Sequence, residues 1–77
     1  MNKQRRKALE KALEMLDEAY SVIENVRDEE QEAFDNMPEG LQASERGEQM
    51  EEYISILEDA TYNIDDIRDQ ITEIVEG

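Results

Sequence analysis

The chain contains no cysteine, no histidine and no tryptophan, a single proline, three glycines, and only four aromatic residues, three tyrosines and one phenylalanine. Without cysteine there is neither a disulfide nor thiol chemistry, and without cysteine and histidine the common zinc and haem ligand sets are missing. No apolar run approaches the roughly 18 residues of a membrane span. The basic start, Lys3-Gln4-Arg5-Arg6-Lys7, leads into amphipathic rather than continuous hydrophobic sequence. These absences lead us to expect a soluble, cytoplasmic protein, with no membrane contact, no cofactor and no metal. A chain of 77 residues is one domain at most. A core that small needs help from disulfides, metal or association, and only association is left, which favours a homo-oligomer.

Positive charge is also scarce. Eight bases stand against 22 acids for a net charge of -14, and five of the eight, Lys3, Arg5, Arg6, Lys7 and Lys11, lie in the first eleven residues. From residue 12 onward three bases face 21 acids. Such a surface repels nucleic-acid phosphates and attracts basic proteins over about one Debye length, ~8 Å in physiological salt. Direct nucleic-acid binding is therefore not expected. So high a charge density is compatible with disorder, but apolar periodicity argues for a fold.

Leu9, Leu13, Leu16, Tyr20, Ile23, Arg27, Glu30, Phe34 and Met37 advance in alternating steps of four and three, the pattern of a coiled-coil seam. Met50, Tyr53, Leu57, Ala60, Ile64, Ile67, Ile71 and Ile74 make a second such row of matching length. Between them, Asn36-Met37-Pro38-Glu39-Gly40 breaks the helix, and Ser44 is a plausible N-cap for the next one, with Gly47 weakening that start because a capping-box glutamate would stand there. The expected fold is all-α: one domain, residues 1–77, with a helix over 3–35, a turn over 36–44 and a helix over 45–76, forming an antiparallel, coiled-coil-like hairpin. Folding about residue 40 sets Leu9 near Ile71, Leu13 near Ile67, Leu16 near Ile64, Tyr20 near Ala60 and Ile23 near Leu57. At the turn it sets Arg27 near Tyr53 and Glu30 near Met50, and predicts a Glu30 to Arg46 ion pair. Bases at a helix start and acids at a helix end both oppose the macrodipole. In a hairpin the basic start would lie beside Asp65, Asp66, Asp69, Glu73 and Glu76, and cross-helix attraction would offset that penalty.

A second row on the first helix, Ala8, Ala12, Met15, Ala19, Val22, Val26 and Ala33, is offset by one residue from its seam. One partner helix cannot cover both rows. The economical solution is a homodimer through Ala8, Ala12, Met15, Ala19, Val22 and Val26, giving a four-helix bundle with the second helix outside. A docked foreign helix is the competing reading.

Paired carboxylates recur every seven residues at Glu51-Glu52, Glu58-Asp59 and Asp65-Asp66, with Asp69 beyond them. Two helical turns separate successive pairs, so they form a ladder with rungs ~10 Å apart. Four residues on, Glu51 meets Ser55, Glu58 meets Tyr62 and Asp65 meets Asp69, so no base balances the ladder locally. Asp65-Asp66-Ile67-Arg68-Asp69 spells the DDxxD of magnesium-diphosphate chemistry, but those sites line a cavity between facing helices, and a slender hairpin has none. The ExxE and ExxD spacings among Glu29, Glu32, Asp35, Glu48 and Glu51 arise by chance in a chain with 39% charged residues. With no phosphate-binding glycine loop and no histidine or cysteine, no catalysis is expected.

The segment from Arg27 through Phe34, Met37-Pro38-Glu39-Gly40-Leu41 and Ser44 to Gly47 resembles short acidic helical proteins of Gram-positive phages and mobile elements. The similarity is best over residues 27 to 60 and carries no active site. What it implies is the cytoplasm of a bacterial host cell, a setting in which compact acidic proteins often act as inhibitors of host nucleases, restriction enzymes or CRISPR effectors. The expected function is a non-enzymatic acidic binding protein. Glu51, Glu52, Glu58, Asp59, Asp65, Asp66 and Asp69 would occupy a basic, nucleic-acid-binding surface of a host or defence protein, standing in for backbone phosphates. The alternative is a structural coiled-coil spacer or assembly protein acting through its apolar rows.

Overall fold

The computed structural model describes all 77 residues and is entirely helical: α1 spans Lys3–Asp35, α2 Glu39–Gln42 and α3 Glu45–Glu76. α1 and α3, of 33 and 32 residues, pack side by side into a rod of 58 × 15 × 13 Å. No helix is long and apolar enough to cross a membrane.

Local chemistry sets the ends. Asn2 caps α1 by accepting a hydrogen bond from the Arg5 amide at 2.8 Å. Pro38, which cannot donate and disfavours helix at Met37, stops α1, and Asn36 closes it with its amide on the Glu32 carbonyl at 3.0 Å. The turn is not a bare loop, as expected over 36–44, because α2 fills part of it. From α2, Gln42 donates its side-chain amide to the Phe34 carbonyl at 2.9 Å, satisfying one of the groups that a helix end leaves free. Ser44 caps α3, its hydroxyl accepting from the Gly47 amide at 3.3 Å and donating to the Leu41 carbonyl.

Gly47 does more than weaken a capping box. It is one of only two buried residues, because α2 crosses directly over it. A Cβ built there would stand 2.1 Å from the Gln42 carbonyl oxygen and 2.6 Å from that of Leu41. Only a residue without a side chain allows the crossing.

This contact also fixes which row of α3 faces α1. Starting at Gly47, steps of three and four run through Met50, Ile54, Leu57, Thr61, Ile64, Arg68, Ile71 and Val75, all buried or half-buried. Ile54 is the one buried apolar side chain, at 6% exposure. The row expected from apolar content alone shares Met50, Leu57, Ile64 and Ile71 with this one. It errs at Tyr53, Ile67 and Ile74, which are 47%, 42% and 46% exposed. Ala60 sits at the margin, half-buried. The polar members of the true seam are accommodated: the Thr61 hydroxyl donates to the Glu58 carbonyl at 2.8 Å, and Arg68 reaches across the rod to Asp17.

Two ion pairs join the long helices, Arg27 to Glu58 at 3.4 Å and Arg68 to Asp17 at 2.6 Å, the latter a charge contact without hydrogen-bond alignment. In both, the residue numbers add to the same total, 85, as a uniform antiparallel pairing requires. Helical side chains lean toward their own N-terminus, so across an antiparallel pair they lean in opposite directions. A bridge forms only between residues offset so as to lean toward each other. Glu30 and Arg46 are offset the other way, and the expected pair between them is absent. The basic start, expected to be held by Asp65, Asp66, Asp69, Glu73 and Glu76, is not: none of Lys3, Arg5, Arg6 and Lys7 forms an ion pair. Lys11 instead meets Glu14 on its own helix at 3.5 Å. Neither long helix has a residue in its last turn that complements the dipole.

Candidate interaction surfaces

At about 100° per residue, the second apolar row of α1 lies roughly a quarter-turn from its seam. On α3, Tyr53, Ile56, Ala60, Ile67 and Ile74 also lie roughly a quarter-turn from theirs, in the same rotational sense. Because the helices run in opposite directions, those two rotations bring both rows to one broad side of the rod. The exposures agree: Met15, Val22 and Val26 are 57%, 61% and 48% exposed, and Ile56 is 53% exposed. Ala8 and Ala19 are exposed as well, and Ala12 is half-buried. Of the α3 residues that spacing offers as flanks of the first-helix contact, Ile54, Ile56 and Val75, only Ile56 lies on this side, whereas Tyr53, Ile67 and Ile74 read from spacing as seam members.

The opposite broad side is acidic. α3 presents Glu51, Glu58, Asp65 and Asp69 there, and the same geometry brings Asp17, Glu24 and Asp28 of α1 beside them. The ladder therefore divides. Glu52, Asp59 and Asp66 stand about a quarter-turn further round, on the outer edge of α3. All seven residues are exposed except Glu58, half-buried and bound by Arg27. The α1 carboxylates were not singled out from sequence, because they belong to no seven-residue repeat. Only the antiparallel pairing makes them neighbours of the ladder.

Electrostatics on this side are shared between helices. Asp65, above all, together with burial and Glu24, pushes the Tyr20 phenol above its ordinary range. Arg27 is drawn further toward its charged form chiefly by its hydrogen bond to Asp28 on its own helix, partial burial opposing this, and secondarily by Glu58. Tyr20, Glu24, Arg27, Glu58, Thr61 and Tyr62 line one shallow hollow here, and Glu45, Arg46, Glu48, Gln49 and Glu52 line another at the turn end. No group of three or more carboxylates converges as metal ligands would. Asp65 and Asp69 of the DDxxD string face the broad side while Asp66 faces the edge.

No family of known proteins, no curated protein and no solved structure matches this chain.

Proposed function

We propose that the protein is a non-enzymatic binding protein whose acidic broad side occupies a basic surface of another protein, most naturally one that otherwise holds nucleic acid. The observation that carries this reading is the segregation of charge. Carboxylates from both helices share one side of the rod; Arg27 and Arg68 offset them from the seam, Lys11 pairs with Glu14, and Lys3 and Lys7 stand only at the far end of that side. Solubility alone is served by mixed charges at less self-repulsion. A rigid rod of carboxylates offers a basic groove charges at a spacing of the same order as backbone phosphates, which suits competition with nucleic acid. The setting implied by the resemblance to phage-borne acidic proteins, that of an inhibitor of a host nuclease or defence enzyme, fits the same chemistry.

The exposed apolar side favours a second element of this reading, a homodimer through Ala8, Ala12, Met15, Ala19, Val22 and Val26. It also favours the rival function, a spacer or assembly part that works through its apolar rows alone. Capture of proteins from a bacterial lysate on the immobilised chain, eluted with a salt gradient, separates the two. Basic nucleic-acid-binding proteins released by moderate salt, and displaced by added duplex DNA, are expected. Captured proteins that resist salt and ignore DNA would establish the rival.

A further inference from the structure

We infer that the apolar broad side seats a second copy of this chain lying head to tail, so that the basic start of each rod covers the acidic turn end of the other. The inference rests on the reading that this side self-associates, and it adds both the second helix and the orientation.

Area is the first support. The chain exposes 5931 Å². A compact monomer of 9.0 kDa exposes only ~4,900 Å². The excess of roughly 1,000 Å² is comparable with the ~800 Å² that each partner contributes to a stable interface. The apolar side is also self-complementary in the way a two-fold contact needs, since it is one flat face shared by two helices rather than a groove awaiting a single one. α3 therefore does not stay outside the bundle, as the first-helix dimer supposed. Each chain buries one broad side and turns its acidic side to water.

Charge decides the orientation. Residues 1–11 carry five bases and one acid, and between Asp28 and Glu52 there are ten acids and one base. Two rods pointing the same way would set ten acids against ten and the basic starts against each other. Reversal sets each basic start, which makes no ion pair across its own hairpin, alongside the partner's acidic end, with Arg5 and Glu29, each one residue before a seam position, on the facing sides themselves. α1 then meets its own copy, where Ala12 and Ala19 permit close approach. The bulkier Tyr53, Ile56, Ile67 and Ile74 hold the two copies of α3 further apart.

Analytical ultracentrifugation and distances between spin labels test this. The absence of native cysteine lets a single label be placed by Lys7→Cys or, at the other end, by Asn36→Cys. A head-to-tail dimer places the two Lys7→Cys labels, and likewise the two Asn36→Cys labels, more than about 35 Å apart, from 1.5 Å per residue on either side of the rod's centre. Val22→Glu, at an exposed position, is expected to remain helical and sediment as a monomer. A dimer with labels within about 25 Å overturns the orientation but leaves self-association standing, because rods pointing the same way keep like ends together. A chain that is monomeric at every concentration, or a Val22→Glu variant that dimerises unchanged, overturns both. If the apolar side instead takes a different protein, the isolated chain will be monomeric, and that outcome is among those that refute the proposal.

Discussion

Replacing Gly47 with alanine lowers the stability of the protein by about 2 kcal/mol, or roughly 10 °C in melting temperature for a domain of this size. The sign is what makes the substitution informative. In an ordinary helical position alanine is more favourable than glycine by about 1 kcal/mol. Here the added methyl carbon meets the Gln42 carbonyl oxygen at 2.1 Å and that of Leu41 at 2.6 Å, both backbone atoms that cannot swing aside. Relief requires α2 to lift from α3, which loosens the Gln42 to Phe34 bond and the Ser44 cap together. Gly40→Ala is the natural control, since nothing lies within 4 Å of a Cβ there. Its melting temperature should stay level or rise slightly. A Gly47→Ala protein as stable as the parent, measured by thermal and denaturant unfolding, would mean that α2 does not cross α3 as described.

Charge reversal at Glu51, Asp65, Asp66 and Asp69 is expected to weaken capture of a basic partner by roughly 100-fold or more, because each reversal replaces an attraction by a like-charge contact across the interface. The four positions are chosen so that the fold is spared. Glu58 and Asp17, which hold Arg27 and Arg68 across the rod, are left in place. The variant should keep its helicity by circular dichroism, and the self-repulsion of a chain of net charge -14 should ease. Undiminished capture would remove the acidic side from the function and shift the work to the apolar one. Val26→Glu would then be the substitution that abolishes activity.

Much of the fold was legible from spacing alone. Steps of three and four locate two long helices, and Pro38 and Ser44 mark where the first stops and the second begins. What spacing could not decide was the rotation of α3, because the two possible rows share Met50, Leu57, Ile64 and Ile71, and of the members that differ the more apolar set, Tyr53, Ala60, Ile67 and Ile74, is the one turned away from the seam. The deciding signal was present in Gly47. Placed at the head of the Ile54 row, it marks the face on which another backbone must come close, yet read only as a poor capping residue it carried no such information. The offset of cross-helix bridges was illegible for another reason. Residues at the same level suggest Glu30 with Arg46, but the lean of helical side chains selects Arg27 with Glu58 and Asp17 with Arg68. The acidic ladder was legible on α3 as a repeat, whereas its α1 neighbours and its division between side and edge depend on the rotation that the sequence left open.

That rotation is the physical basis of the two-sided rod, and neighbouring residues on α3 report it. In the Val22→Glu background, where the chain is expected to be monomeric, unfolding by denaturant would compare Ile54→Ala with Tyr53→Ala. Ile54 facing α1 predicts a loss of about 2–4 kcal/mol for the first and under about 1 kcal/mol for the second. The opposite order would place Tyr53 in the seam, turn the apolar row inward and contradict the account.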